Sequence, residues 1–485
     1  MRERLHRMTR PHRIILLAAL TGVLVGLAVA VFEQVVGHWL LEWTLELPTA
    51  VQCFAPAAGL VLAWVALRYI GRGATPSLSD EYLVAYHHQD GDLSPGPFAG
   101  KVSAAVATLG LGGACGFEGP SIYLGSSIGA FVRRRFPRTF AEGDRRVLVT
   151  AGAAAGVAAI FKAPATGAVF SLEVPYQEDS ASHAVVPAIV AAAASYLTYI
   201  VFFGVERLFP IAGKPPLDTK DLLGALAMGL LAGVGARAFS AVLRSTKRFA
   251  AEVVAWKRIA LCGGGLALTA AVTWAVYDRP LSLGPGYGAI DWTRDPTRAL
   301  GLILLLLLIR AVATTCTLAG GGAGGVFIPL FVEGWLLGAA VEAVVNSHTM
   351  LFPVIGAAAF LGAGYRTPIA AIVFVAEVTG RPEFIVPALI ATAVAQLVMG
   401  RWSVTKAQLE RRLDPVQLRD RRLAVDVLDP VPDPLDAGAP RVPASATVGD
   451  VRYAINGSRA PYAVVVDGEA VLGVVTPAAI LALEE

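Results

Sequence analysis

Apolar runs broken by glycine and proline constrain this chain more than any other feature. They lie at Ile14 to Phe32, Ala57 to Tyr69, Ala184 to Phe203, Leu222 to Val234, Ile259 to Val276, Leu302 to Ile309 and Phe384 to Met399. A helix needs about 20 apolar residues to cross a bilayer, and several runs approach that length. The shorter runs fit half-crossing helices, because a broken helix survives in hydrocarbon only where protein or water surrounds it. Composition agrees: 16% of the residues are charged and the mean hydropathy is +0.61, whereas a soluble domain carries about 25% charged residues. The expected fold is an all-α integral membrane protein.

Charge placement says more than the net charge of +3, which gives no sign of a nucleic-acid partner. Arg2, Arg4, Arg7, Arg10 and Arg13 precede the first apolar run. A basic flank argues for a cytoplasmic N-terminus, and the long apolar run with no small-residue cleavage site argues against a secretory signal. The basic segment "RWSVTKAQLERRLDPVQLRDRR" follows the last apolar run and places the C-terminal end in the cytoplasm too. Cys53, Cys115, Cys262 and Cys316 are scattered with no metal or disulfide spacing and read as small buried apolar residues. His87-His88 reads as a loop pair, since no cysteine or acid completes a ligand set. "RRR" at 133–135 reads as a headgroup or solvent contact.

The chain also repeats itself. "GAAAGVAAIFKAPATGAVFSLEV" from Gly152 matches "GAAAFLGAGYRTPIAAIVFVAEV" from Gly356 at a constant offset of 204 residues. Phe161/Tyr365, Lys162/Arg366, Pro164/Pro368, Phe170/Phe374 and Glu173/Glu377 keep that register. "GFEGPSIYLGSSIGA" from Gly116 matches "GVFIPLFVEGWLLGA" from Gly325, with Pro120 on Pro329. Two membrane halves with matching broken segments point to a binding site between them near mid-membrane. In each half, glycine and then proline open a helix, and proline is tolerated in the first turn. Such a helix start offers free N–H groups and the positive end of a dipole. Two of them facing each other make an anion site without a full positive charge, weak enough to release its ion.

These residues resemble the CLC family of chloride channels and chloride/proton antiporters. "GFEGP" (116–120) is similar to that family's G-K/R-E-G-P motif, "GVFIP" (325–329) to G-x-F-x-P, and "GRGATP" (71–76), less well, to G-S-G-I-P. The resemblance implies an inverted repeat of two halves with broken helices, a homodimer with one pore per subunit, chloride as the transported ligand and contact with membrane lipid. It places the protein in a bacterial inner membrane. It makes Glu118 the gate: an ionised carboxylate is itself an anion, able to plug the site until protonation or a competing anion displaces it. The anion-binding positions carry over as Phe117, Gly119, Val326 and Phe327.

Three departures shape the expected mechanism. Aligning Pro76 with the family's proline puts Gly73 where the family has a pore serine. The central tyrosine after the last crossing is replaced by Thr405. Together these suggest a wider inner pore lined at Gly73 and Thr405. The proton-delivering acid of family antiporters, which directly follows another glutamate, is replaced by Val174 after Glu173. That replacement favours passive, channel-like anion flux over chloride/proton antiport, although a water wire could stand in for the acid. Glu173 and Glu377 are expected to cap helices or to pair with Lys162 or Arg366. A fluoride exporter of the same fold stays open because of Gly73. A membrane-embedded enzyme finds no H-E-x-x-H, G-x-S-x-G or paired-acid motif.

The expected organisation is a pore domain at 1–412, with halves at 14–204 and 218–401, a linker at 413–440 and a cytoplasmic α/β module at 441–485. Within the last, "VVVDGEAVLGVV" reads as a hairpin turning at Asp467-Gly468. Its helix–hairpin–helix order resembles a single CBS motif. CBS pairs often bind adenine nucleotides, but one copy is half of such a site. No cofactor is expected, and a dimer-stabilising role without ligand is at least as good a reading.

Overall fold

In the computed structural model the described residues are 9–89, 91–140, 144–211, 218–411, 423–432, 435–436, 438–458 and 460–481. Arg2, Arg4 and Arg7 of the basic flank, and much of the expected linker over 413–440, lie outside them. The chain divides into two compact units, Met1–Glu410 and Arg411–Glu485.

The first unit is helical, and among the described residues eight helical segments are long and apolar enough to cross a membrane. The protein is an integral membrane protein. Its first half contains α1 (Arg10–Glu33), α2 (Thr49–Val65), α3 (Ser79–His88), α4 (Phe98–Gly110), α5 (Glu118–Arg135), α6 (Val147–Phe161), α7 (Pro164–Glu173) and α8 (Val185–Phe203). Its second half contains α9 (Thr219–Glu252), α10 (Ala255–Tyr277), α11 (Leu300–Ala319), α12 (Phe327–Val345), α13 (Leu351–Tyr365), α14 (Pro368–Thr379) and α15 (Ile385–Met399). One crossing helix, Phe327–Val345, was not among the apolar runs, because Gly334 and Glu333 interrupt it in sequence. Protein covers 72% of its apolar window, more than any other, so it need not be uniformly lipid-soluble. His87 and His88, expected in a loop, form the last turn of α3. Arg133 and Arg134 pair with Asp92.

The repeated segments became matching helices for identifiable reasons. α6 and α13 are each 15 residues long and buried at every position, as an all-round apolar helix must be. Each is too short to span, and each ends on a basic residue in the left-handed region, Lys162 at φ 51° and Arg366 at φ 59°. The next helix then starts on proline in both halves, Pro164 and Pro368. The pairs α5–α6 and α12–α13 approach so closely that a Cβ on Gly125 would strike the Gly152 carbonyl, and one on Gly334 the Gly356 carbonyl. Small residues at such crossings let membrane helices pack by van der Waals contact, where no hydrophobic drive exists.

The second unit is a small α/β module. Strands β1 (Arg441–Pro443), β2 (Ala463–Asp467) and β3 (Ala470–Val475) lie in that order, β1 parallel and β3 antiparallel to β2. The helix Val448–Ser458 joins β1 to β2, and Pro477–Leu481 follows β3. The hairpin turns at Asp467-Gly468, with Gly468 at φ 60°. The strand β1 was not foreseen: three residues give no period to read. Val442, Val448, Val451, Ala463, Val465 and Val475 form the module's own core.

Candidate functional site

The site is assembled where α5 and α12 begin, and the hydrogen bonds between the two halves there come in pairs related by the repeat. Gly116 N–H donates to the Gly325 carbonyl at 2.9 Å and Gly325 N–H returns to the Gly116 carbonyl at 2.8 Å, pinning the two helix starts together. Thr108 and Thr317, in the last turn of α4 and α11, repeat this reciprocity. Ala323 N–H donates to Thr108 Oγ1 and Ala114 N–H to Thr317 Oγ1, each at 3.0 Å. Gly112 at φ 82° and Gly321 at φ 97° turn the two loops, a conformation that favours glycine. The matching region therefore extends back to Thr108/Thr317, further than the sequence comparison reached.

Into this symmetric frame the first half inserts one acid. Glu118, wholly buried, accepts a hydrogen bond on Oε1 from the Phe327 N–H at 2.6 Å. Phe327 occupies the repeat position of Glu118 itself. The carboxylate thus sits on a helix start, held by an amide and a dipole rather than by a cation, an arrangement that favours negative charge. Its Oε2 has no hydrogen-bond partner, leaving an oxygen for a proton. The glycines explain themselves here: a Cβ on Gly116 or Gly325 would collide with this carboxylate.

Of the expected site residues, the structure brings Phe117, Glu118, Gly119, Val326 and Phe327 together. Phe117 caps α5 and packs edge-on to Phe32 at 6.4 Å. A Cβ on Gly119 would lie 2.7 Å from the Gly325 nitrogen. The Phe327 ring is enclosed by Phe161, Phe170, Tyr365 and Phe374, with centroids 4.9 to 6.3 Å away. Two of these four come from each half.

A cavity of about 150 Å³ reaches the α12 start at Gly322, Gly324 and Val326. Its wall includes the segment Thr75 to Asp80, Lys247, Tyr365, Val404 and Thr405. The placement of Gly73 is corrected: it lies in an exposed turn at φ 82°, a Cβ there would meet nothing, and it is not among the lining residues. The turn's left-handed geometry swings the chain so that Thr75, Ser77 and Ser79 supply the hydroxyl-bearing wall instead. Thr405 is on the wall, but its hydroxyl donates to Asp80 Oδ1 at 2.7 Å. The site does not lack a phenol either. Tyr365, at the end of α13, is on the same wall, with Ser79 and Val326. Tyr365 had a signal: it is where the repeat changes phenylalanine to tyrosine. Asp80 and Lys247 had none, since neither falls in a repeated segment.

Val174 is buried, 3% exposed, and is not a lining residue of the cavity. Gln408 reaches the carbonyls of Val174 and Tyr365 with one amide. Glu173 and Glu377 are caps, each on the other half's helix. Glu173 accepts from Ile369 and Ala370 N–H at the start of α14, at 3.1 and 2.9 Å. Glu377 accepts from Ala165 and Thr166 N–H and Thr166 Oγ1 at the start of α7, at 3.0, 2.7 and 2.5 Å. Lys162 and Arg366 bond carbonyls instead, those of Phe203 and of Gly400 and Gln177.

Known proteins carry the same architecture. A family model described as voltage gated chloride channel matches residues 58–400. The H(+)/Cl(-) exchange transporter ClcA of Cronobacter sakazakii is 28% identical over 425 residues, spanning 82% of this chain and 90% of that one. ClcA of Salmonella typhimurium is 27% identical over 427 residues, spanning 82% and 89%. Among solved structures, a slow cyanobacterial Cl-/H+ antiporter is similar at a TM-score of 0.71 and 20% identity, over 81% of this chain and 94% of its own. A CLC-type fluoride/proton antiporter is similar at 0.69 and 22%, over 82% and 98%. At these identities the solved structures speak for the fold.

Proposed function

The chain belongs to the voltage gated chloride channel family, the CLC family, and from that premise we propose that it moves chloride across a membrane in exchange for protons, with Glu118 as its gate. The observation that carries the gate is the Glu118 carboxylate seated on the Phe327 amide, in the place of an anion. Hydrogen bonds to a charged group are worth about 1.5–3 kcal/mol, so a chloride ion or a proton at Oε2 can compete for the seat. A proton removes the charge that holds the side chain there, and the anion then enters. One carboxylate that alternates between anion mimic and proton carrier supplies the elements of exchange.

Val174 favours the second reading, passive flux. The exchange reading draws its support from the curated relatives, which are named exchange transporters, against the channel-like expectation. Purified protein in sealed liposomes decides between them. Under an outward chloride gradient the exchanger drives protons against their own gradient; chloride movement with no proton movement ends the exchange reading. Substituting fluoride and nitrate for chloride in the same assay ranks the anions and tests the fluoride alternative.

We further propose a homodimer in a bacterial inner membrane with both termini cytoplasmic, supported by the family resemblance and by Arg10 and Arg13 in the first turn of the first crossing helix. The expected division at 412/413, the single CBS-like reading of 441–485 and its lack of nucleotide are part of the same proposal. Light scattering in detergent reads the oligomer, and calorimetry with an adenine nucleotide reads the module.

A further inference from the structure

Exchange needs a proton to reach Glu118 from the side of the Thr405 cavity as well as from the other side. Val174 offers no titratable group and does not touch the cavity. Among the lining residues one carboxylate is present, Asp80 at the start of α3. It is held in place rather than free to wander, because Thr405 Oγ1 donates to its Oδ1 at 2.7 Å. The groups that face it come from four elements. Lys247 of α9 and Lys101 of α4 both feel its charge. Lys101, however, is already engaged by Glu81 of α3 at 2.7 Å and by the Ser77 carbonyl at 2.6 Å. Tyr365 of α13 lines the same cavity as Ser79, Asp80 and Val326. Tyr365 shares a wall with Asp80, and its ring lies 6.3 Å from that of Phe327, whose N–H holds Glu118; a phenol both donates and accepts, which suits it to a relay between the two acids.

We propose that Asp80 is the proton-transferring acid on the cavity side, working with Glu118 through the Tyr365 hydroxyl. The inference rests on the exchange reading above. The step is a plain acid–base transfer. The O–H bond on Asp80 breaks as one forms on Tyr365, the phenol's own proton passes on to Glu118 Oε2, and one negative charge returns to Asp80. No redox partner is involved. The acid absent at position 174 is thus replaced by one from a different segment.

The test measures protons moved per chloride moved in liposomes holding the full-length protein, a ratio that a change in transport rate alone leaves untouched. Asp80→Asn is expected to lose chloride-driven proton movement while chloride still crosses. Asp80→Glu, which keeps a titratable group at the cavity, is expected to couple at the wild-type ratio. An Asp80→Asn protein that couples like the wild type overturns the proposal, as does an uncoupled Asp80→Glu. If the asparagine variant moves no chloride, Asp80→Ser is judged by the same ratio, and the glutamate variant still decides. A wild type that moves chloride without protons overturns the exchange reading itself, a result distinct from coupling that survives at Asp80→Asn.

Discussion

The helix starts of α5 and α12 are built on one plan and differ in what they place at the centre. Both follow a glycine turn, both are pinned by the Gly116–Gly325 bridge, and both are buttressed by a threonine from the other half. At the equivalent position one carries Glu118 and the other presents the Phe327 amide, and the two bond to each other. The repeat therefore builds a symmetric pair of helix starts, and a single unmatched acid bridges them. On the function proposed above, symmetry supplies the site and asymmetry supplies the control.

The comparison can be broken most severely at its unmatched residue. Glu118→Gln keeps the shape and removes the charge. The seat then loses its competitor, worth about 1.5–3 kcal/mol, or roughly ten- to a hundredfold in occupancy at 1.36 kcal/mol per decade. Chloride efflux should become nearly independent of pH, and coupled proton movement should vanish. In the wild type, rising pH should leave the carboxylate ionised and seated and so lower the flux, and falling pH should protonate it and raise the flux. A glutamine variant that keeps the wild-type pH response removes Glu118 from the gate.

The matched residues should respond alike. Thr108→Val and Thr317→Val each leave a buried N–H, of Ala323 or Ala114, without its acceptor, a loss of about 1–3 kcal/mol. Thermal unfolding in detergent should drop by similar amounts for the two, and an effect confined to one half would contradict the equivalence. The reciprocal caps sharpen the point. Glu377→Gln should cost more than Glu173→Gln, because Glu377 accepts three hydrogen bonds and Glu173 two. Each loss should be on the order of 1 kcal/mol, the usual size of a cap, read in the same melts. The smallest effect belongs to Gly73→Ser. A hydroxyl there points into open solvent, so chloride flux should stay within about twofold. Stability should fall by at most about 1 kcal/mol, the scale of leaving a glycine conformation. A large gain or loss of flux would return Gly73 to the pore.

How far the sequence could be read followed the distance over which its signals act. The repeat was visible because Pro120/Pro329, Phe170/Phe374 and Glu173/Glu377 keep register within short windows. It faded toward Thr108/Thr317, where what is shared is a hydrogen-bonding role between distant chains. Glu173 and Glu377 read as caps or as partners of Lys162 or Arg366, and the structure makes them caps on each other's half. Capping is a property of a residue type, while the choice of helix depends on the pseudo-two-fold arrangement. Gly73 was misplaced for the opposite reason: a one-dimensional alignment to a proline ignores a left-handed turn that redirects the chain.

The sequence by itself determined the solvent, the two halves, the broken helices and the acid set among glycines. All of these arise from local composition and spacing, which a bilayer reads directly. Only the tertiary structure decided that Glu118 rests on the Phe327 amide, that Tyr365 supplies a phenol to the cavity, and that Asp80 and Thr405 meet there. Those residues are separated by 209, 286 and 325 positions in order of mention, counted from Glu118 to Phe327, from Ser79 to Tyr365 and from Asp80 to Thr405. Contacts at such separations are fixed by how whole helices pack, and no local pattern in the chain records them.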